Sequence, residues 1–278
     1  MLRVDTLNVT SVLLAVLIGS TAAPAGAPTK VPIQILGNSP VIVAKIDGIA
    51  VPLIFDLGDE SALALSKRMM DRLGVLPAGE TYRAKDAAGN VIRSGTFRLP
   101  ELRIGNAVFT NVIGRPDFHD PSYQSSEVGQ QGFLGTALLK SYKVVLDYQH
   151  QQMALLPKAS ETDRSAKCLG TVVPFLPAWK GTAVTLAITD FGELTAVWDT
   201  SPVSILHKAQ AQRITERVLT ESVTTSRFIL GGTNFGPLAL DVADYTEPAG
   251  AGAIIGYNFF AHHIVCVDFP GKRLLIQN

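Results

Sequence analysis

Two aspartates in this sequence end runs of apolar residues, and their residue type suggests a specific chemistry. Asp56 follows Leu53-Ile54-Phe55, and Asp199 follows Ala196-Val197-Trp198. Two carboxyl groups at short distance cannot easily both ionise, so they share one proton and titrate as a unit. Such a pair holds a water: one carboxylate takes the water's proton, while the other donates a hydrogen bond to a carbonyl. If folding joins Asp56 and Asp199, the pair suits hydrolysis without a metal or a covalent intermediate.

A single aspartate at a strand end is usually a turn former or a helix cap, so the pairing rests on an internal repeat. Phe133-Leu134-Gly135 resembles Ile254-Ile255-Gly256, and in both copies a strand ending in aspartate follows at the same spacing, at Asp147 and Asp268. The register holds without gaps through two strands and their turn, which chance similarity rarely does. Asp147 and Asp268 lie within terminal strands just before a turn, and we interpret them as structural.

The elements that must position the two aspartates also occur twice. Alternating strands with polar turns, at 41–48 and 183–192, precede the aspartates. Helix-like stretches, at 65–73 and 205–214, follow them. Short strands separated by turns predict a mainly β fold with about one helix in each half.

The repeat divides the chain into two similar lobes. We expect a first lobe at 30–157, a polar linker at 158–169 and a second lobe at 170–278. Packing of the lobes about a pseudo-two-fold axis would bring the two aspartate-bearing strand ends face to face.

Both halves resemble retropepsin-type aspartic peptidase domains arranged in tandem, as in bilobal pepsin-like enzymes. The family pattern is an apolar strand, Asp-Thr-Gly, a short helix and, much later, two apolar residues followed by glycine. Ile54-Phe55-Asp56-Leu57-Gly58 and the two glycine elements match this pattern. The resemblance implies a pepsin-like acid protease fold with a cleft between two β lobes. It also implies an aspartic-type endopeptidase that needs no cofactor and works as a two-lobed monomer on a peptide or protein substrate.

The resemblance assigns roles to individual residues. Asp56 and Asp199 would be the catalytic dyad. The positions that support the dyad in the family are occupied here by Gly58, Thr200, Ser201, Gly135 and Gly256.

The sequence departs from the family motifs at several positions. Leu57 stands where the family has threonine, so it cannot supply the hydroxyl that bonds to the other lobe. Ser201 replaces glycine, and Pro202 removes a backbone donor beside the second aspartate. Asp59 and Glu60 add negative charge beside Asp56, which would raise the pKa of the dyad.

These departures leave a second function open, a catalytically inactive pseudopeptidase that binds peptides or serves in assembly. A third candidate, a glycosidase with a carboxylate pair on an unrelated β fold, accounts neither for the symmetry of the motifs nor for the paired glycine elements.

The segment from Tyr82 to Val91 has the character of a hairpin, and Ala88 and Gly89 lie near its tip. Its place in the first lobe suits a flap that closes over substrate, with Tyr82, Ala88 and Gly89 as substrate-binding residues. An ordinary surface hairpin is the alternative. The long polar stretch at 115–131 would line the cleft or form an insertion.

Composition excludes several other classes. The 278 residues carry 24 Lys and Arg against 24 Asp and Glu, without a basic stripe, so nucleic acid is not expected as a partner. No metal site is expected, because the two cysteines match no zinc motif and the adjacent residues His262 and His263, on a predicted strand, point to opposite faces. No G-x-S-x-G elbow for a serine hydrolase occurs. Pairing of Cys168 with Cys266 is left open.

The N-terminus predicts export. Arg3 precedes a short apolar run at 12–18, and Ala25-Gly26-Ala27 supplies a cleavage pattern, so 1–27 is interpreted as a signal peptide. Asp5 weakens the positive region, which keeps an uncleaved N-terminal anchor as the alternative. We expect a periplasmic or secreted protein with no membrane span after signal removal.

Overall fold

Strands separated by tight turns build three sheets, and the chain is mainly β as predicted. The computed structural model describes residues 28–85, 91–117, 131–158, 168–177, 183–215, 221–245 and 251–277. The predicted signal peptide, the flap residues Ala88 and Gly89, and most of 115–131 lie outside the described residues. The division at 30–157, 158–169 and 170–278 stays a prediction.

The described residues of the first half supply eleven strands and one α-helix. They are β1 (Thr29–Pro32), β2 (Gln34–Leu36), β3 (Ser39–Ile46), β4 (Ile49–Phe55), β5 (Leu63–Leu65), α1 (Lys67–Leu73), β6 (Leu76–Lys85), β7 (Val91–Ile104), β8 (Ala107–Pro116), β9 (Gly132–Leu134), a 3-10 turn (Thr136–Leu139), β10 (Tyr142–Asp147) and β11 (Gln152–Pro157).

The described residues of the second half supply another eleven strands and two α-helices. They are β12 (Thr171–Pro174), β13 (Val184–Thr189), β14 (Gly192–Trp198), β15 (Ile205–His207), α2 (Lys208–Thr215), β16 (Ser222–Thr225), β17 (Phe228–Leu230), β18 (Thr233–Asn234), β19 (Leu238–Ala243), β20 (Ala253–Ile255), α3 (Tyr257–Phe260), β21 (Ile264–Asp268) and β22 (Arg273–Gln277).

Strand β4 carries Asp56 to the centre of the first eight-stranded sheet. It alternates between buried and more exposed residues and pairs with β3 through a hairpin whose turn, Asp47-Gly48, has positive φ at both residues. Two residues of positive φ match the twist of a tight hairpin. On its other side β4 runs parallel to β9, which pairs antiparallel with β5.

Helix α1 starts and ends where local chemistry dictates. The side chain of Ser66 accepts a hydrogen bond from the N–H of Met69, and Gly74 ends the helix in the left-handed conformation. Both predicted helices exist, but each begins a few residues later than predicted. The first residues of the predicted stretches belong to the short strands β5 and β15.

The second eight-stranded sheet repeats the pairing of the first. Strand β14 pairs with β13 in a hairpin and runs parallel to β20, and β20 pairs antiparallel with β15. Strand β15 then runs parallel to β19, as β5 does to β8. The repeat seen in the sequence is therefore a repeat of topology.

A six-stranded sheet joins the two halves, in the order β1-β11-β10-β21-β22-β12. Its two central strands, β10 and β21, are equivalent in the repeat and pair antiparallel across the halves. Val145 faces Cys266, Val144 faces Val267 and Leu146 faces Val265. Exchanging the two strands reproduces this register, so the pseudo-two-fold axis passes between Val145 and Cys266. Cys266 also forms a disulfide with Cys168.

Aromatic packing fills the core behind the second aspartate. Trp198 is fully buried, meets Phe259 and Phe260 edge to face at 5.0 and 5.9 Å, and donates its indole N–H to Thr185. Within the described ranges, no helix has the length and apolar character that a membrane crossing requires.

Candidate active site

The two aspartate loops leave their strands in the same way. The N–H of Asp56 donates to the carbonyl of Leu134 at 2.9 Å, and the N–H of Asp199 donates to Ile255 at 3.0 Å. The two acceptors, Leu134 and Ile255, end the strands β9 and β20, which directly precede Gly135 and Gly256. Main-chain pairing thus fixes each aspartate at the end of its strand, beside the neighbouring parallel strand.

The carboxyls of Asp56 and Asp199 meet between the lobes and share a side-chain hydrogen bond. Oδ1 of Asp56 accepts bonds from the N–H groups of Gly58 and Asp59, at 2.8 and 3.2 Å. Oδ1 of Asp199 accepts a bond from Ser201 at 2.9 Å. Oδ1 of each carboxyl is therefore held by main-chain N–H groups of its own loop.

Burial is the main influence on the acidity of this pair. It raises the pKa of Asp199 to about 6, although the N–H of Ser201 and the bond from Asp56 act in the opposite direction. Burial, followed by the charges of Asp199 and Asp59, raises the pKa of Asp56 well above its usual value. The pair therefore retains a proton at a pH where isolated aspartates are ionised.

Three glycines let main chain approach the dyad closely. A Cβ on Gly58 would collide with the carboxylate of Asp199. A Cβ on Gly135 would collide with the carbonyls of Asp59 and Ser61, and one on Gly256 with the main chain of the Asp199 loop. Gly135 and Gly256 therefore lie directly behind the two aspartate loops.

Thr200 links the two lobes, whereas Leu57 does not. The Thr200 hydroxyl accepts from the N–H of Leu57 at 3.1 Å and donates to the carbonyl of Phe55. The side chain of Leu57 is buried in the apolar core. Only one of the two aspartate loops thus supplies a bridging hydroxyl.

Comparison with known proteins finds a family model for part of the first half. Residues 42–138 match a family model described as aspartyl protease. No curated protein sequence matches the chain.

Solved structures extend the likeness to the second lobe. The chain is similar to an aspartic proteinase from Irpex lacteus, with a TM-score of 0.61 and 14% identity over 91% of this chain and 97% of that one. It is also similar to basic 7S globulin from soybean, with a TM-score of 0.54 and 13% identity over 90% and 94%. At these identities the likeness shows the fold. The predicted resemblance to bilobal aspartic peptidases is confirmed, and the fold is that of pepsin-like aspartic proteinases.

Tyr82 lies on β6, the first strand of the hairpin predicted to be a flap. Tyr82 pairs with Ser94 across the β6–β7 hairpin, and its ring lies over the guanidinium of Arg115, 5.1 Å from the Arg115 Cζ. Burial, with a contribution from Asp59, raises the pKa of Tyr82.

The sequence did not reveal that Asp59 has a cationic partner. Nη2 of Arg115 lies 3.0 Å from Oδ2 of Asp59, and both side chains are about nine-tenths buried. Glu60, the other added acid, is exposed. The charge of Asp59 raises the pKa of both dyad aspartates, as expected, even though Asp59 forms an ion pair with Arg115.

Tyr148 is a second residue near the dyad that the sequence did not indicate. Its ring stacks on Phe260 at 5.4 Å, and its buried hydroxyl has no hydrogen-bond partner among the described residues. Burial raises its pKa well above the usual value, and the charges of Asp199 and Asp56 add to the shift.

The other repeated aspartates are structural, as predicted. Asp147 accepts from the N–H of His150 at 3.1 Å, and Asp268 accepts from Gly271 at 2.8 Å and from Arg273 at 3.0 Å. Both carboxyls are buried and hold the turns that follow their strands.

The strand expected at His262-His263 is wrong: both histidines lie in the turn between α3 and β21. His263 packs on Phe259 at 4.4 Å, and burial lowers its pKa. Across the described ranges, no group of three or more His, Cys, Asp or Glu side chains is placed to hold a metal ion.

Proposed function

We propose that this protein is an aspartic-type endopeptidase in which Asp56 and Asp199 activate a water. The observation that carries the proposal is the side-chain hydrogen bond between the two aspartates, each also held by main-chain N–H groups. A shared proton between partly exposed carboxyls at a cleft is the arrangement that the reaction needs.

The surroundings of the pair favour different roles for the two carboxyls. Burial and the charges of Asp199 and Asp59 raise the pKa of Asp56 well above its usual value, although the N–H groups of Gly58 and Asp59 act in the opposite direction. We therefore assign the shared proton to the free oxygen of Asp56. Asp199 is then the ionised partner and the general base.

The reaction proceeds in two balanced steps. Asp199 takes a proton from water as the water oxygen attacks the scissile carbonyl carbon, and Asp56 gives its proton to the carbonyl oxygen. Asp199 then passes its proton to the amide nitrogen, and Asp56 regains one from a hydroxyl of the tetrahedral intermediate. The C–N bond breaks, and the dyad returns to its starting state.

Substrate recognition in this proposal uses the cleft between the lobes. An extended peptide strand would lie across it and bond through its main chain, with Tyr82 on the flap side. Gly58, Thr200, Ser201, Gly135 and Gly256 support the dyad but do not touch the reacting atoms.

The proposal also includes export and a two-lobed monomer. The Cys168–Cys266 disulfide supports export, because such bonds persist in oxidising compartments. Removal of 1–27 is tested by the mass of the protein recovered from outside the cytoplasm, and the monomer by its mass in solution.

The second candidate is a pseudopeptidase that binds peptides without cutting them. Leu57 favours it, because Thr200 supplies a hydroxyl bond between the lobes and Leu57, at the equivalent position, does not. Pro202 favours it because it has no N–H to donate beside Asp199. This candidate keeps the cleft and its peptide-binding mode but gives no turnover.

Digestion of an unfolded protein separates the two candidates. Purified protein lacking 1–27 is incubated with the substrate from pH 4 to 8, and new termini are identified by mass spectrometry. Cutting that is lost in both Asp56→Asn and Asp199→Asn supports the endopeptidase. Binding of a statine-type transition-state mimic without cutting supports the pseudopeptidase. Cutting that persists in both variants overturns the assignment of the dyad.

A further inference from the structure

The ion pair of Asp59 and Arg115 connects the catalytic loop to the outer strands of the first lobe. Asp59 lies three residues after Asp56, and its carboxylate also accepts bonds from the N–H and hydroxyl of Ser61, at 2.7 and 2.8 Å. Arg115 comes from β8, where it pairs with Ala64 of β5. Its Nη1 donates to the carbonyl of Pro116 at 3.1 Å.

The same guanidinium reaches the flap strand. Tyr82 covers one face of it at 5.1 Å and also forms a side-chain hydrogen bond with it. Arg115 therefore contacts both the loop that holds the dyad and the first strand of the β6–β7 hairpin. A planar guanidinium suits this double role, because it bonds in its plane and stacks on its face.

We propose that Arg115 is a positioning residue for catalysis, which fixes Asp59 beside the dyad, offsets its charge and couples it to Tyr82 of the flap strand. This inference rests on the proposed function and concerns the control of the same site. Arg115 acts through Asp59 and Tyr82 and does not touch the reacting atoms.

The charges around the dyad fix the direction of the effect. Asp59 faces both aspartates from the loop, Tyr148 faces them from the end of β10, and Glu60 faces Tyr82. Arg115 is the cation paired with Asp59. Loss of Arg115 leaves the charge of Asp59 uncompensated, so the dyad holds its proton to higher pH. Loss of the Asp59 charge does the opposite.

The test compares pH–rate profiles of wild type, Arg115→Met, Arg115→Lys, Asp59→Asn and the double variant Asp59→Asn/Arg115→Met. We expect Arg115→Met to move the acid limb up by about half to one pH unit and to lower kcat/KM by about 10- to 100-fold. Asp59→Asn should move the limb down, and adding Arg115→Met to it should cause no upward shift. Arg115→Lys keeps the charge and should move the limb less than Arg115→Met.

Arg103→Met is the matched control, because Arg103 forms an exposed ion pair with Glu101, and both residues lie on β7, the strand next to β8. It should leave the profile unchanged. If Arg115→Met does not fold, Asp59→Asn and Arg115→Lys carry the test. A wild-type profile in Arg115→Met, with only a lower Tm, overturns the inference, and so does an unmoved limb in Asp59→Asn.

The pH dependence of unfolding distinguishes failure of this inference from failure of the proposed function. It reports the titration of the dyad even in a protein that does not cut. A wild type without turnover whose stability profile shifts in Arg115→Met defeats the endopeptidase and keeps the charge coupling. A wild type that cuts, with variants whose profiles do not shift, defeats the coupling alone.

Discussion

The hydroxyl of Thr200 accepts a hydrogen bond from the main-chain N–H of Leu57, although 143 positions separate the two residues. Because the same hydroxyl donates to the carbonyl of Phe55, a single side chain of the second lobe satisfies two buried main-chain groups of the first. This link fixes the relative position of the two aspartate loops.

Thr200→Val should therefore destabilise the protein and weaken catalysis together. The variant keeps the shape of the side chain but leaves the Leu57 N–H and the Phe55 carbonyl unpaired, which should cost about 2 kcal/mol. Denaturant unfolding measures the loss. Thr224→Val, at an exposed position of β16, is the control and should stay within about 0.5 kcal/mol of wild type. Equal stabilities of the two variants would contradict a role for the link.

Gly58→Ala should abolish most activity, because its Cβ would displace the carboxylate of Asp199. Misplacement of a catalytic group by about an ångström costs about 100-fold in rate, and we expect at least that loss. Gly95→Ala is the matched control, since a Cβ there meets no atom within 4 Å. Initial rates on an unfolded protein substrate compare them. Full activity in Gly58→Ala would mean that Asp199 is not needed in its present position.

The acid limb of the pH–rate profile should lie near pH 6. The pKa of Asp199 is raised to about 6, mainly by burial, so below that pH both carboxyls are protonated and no general base is present. Above it, one proton remains on the pair and the water can be activated. Measurement of kcat/KM from pH 3 to 8 checks this. An optimum at pH 3 to 4 would show that the dyad is more acidic than its burial implies.

Asp199→Asn should be more stable than wild type at pH 7, although inactive. In the wild type the folded state binds its proton up to about pH 6 and the unfolded state only to about 3.8. The folded state thus holds more protons in that window, so stability falls as pH rises through it. Asparagine removes this loss, which should gain about 1 to 3 kcal/mol at pH 7.

Unfolding free energies at pH 4, 5, 6 and 7 test this expectation. The slope of stability against pH should be smaller in Asp199→Asn than in wild type. Asp71→Asn, at an exposed carboxylate paired with Lys67, should keep the wild-type slope. Identical slopes in all three proteins would contradict a titration of the dyad in this range.

Tyr148→Phe should stabilise the protein by about 1 kcal/mol, because it removes a buried hydroxyl without a partner among the described residues. Tyr142→Phe, on the adjoining strand β10, should change stability by less than about 0.5 kcal/mol. Thermal unfolding of both variants gives the comparison. A loss of stability in Tyr148→Phe would indicate a water bound to that hydroxyl.

The local elements of this fold could be predicted because each leaves a pattern of its own. Asp56 ends an apolar strand, the helix that follows has a serine cap and a terminal glycine, and Gly135 sits in a repeated frame. These are short-range signals, and their repetition along the chain predicts two similar lobes.

Relationships that depend on three-dimensional distance could not be predicted. Arg115 lies 56 residues after Asp59, and nothing in the sequence indicates that they pair. Tyr148 follows a strand that the repeat marked as structural, yet its ring reaches the neighbourhood of the dyad. The shared six-stranded sheet could not be predicted either, because the sequence pattern of the terminal strands does not indicate that they pair with the other half.

The register of β10 against β21 has a consequence for the first half taken alone. A polypeptide ending after β11 would carry β10 as an open edge whose hydrogen-bonding groups seek a partner. Since the pairing is symmetric about Val145 and Cys266, a second copy of that polypeptide could offer its own β10 in the same alignment, Val145 against Val145. The truncated protein should therefore self-associate into a homodimer, with one Asp56 from each subunit facing the other.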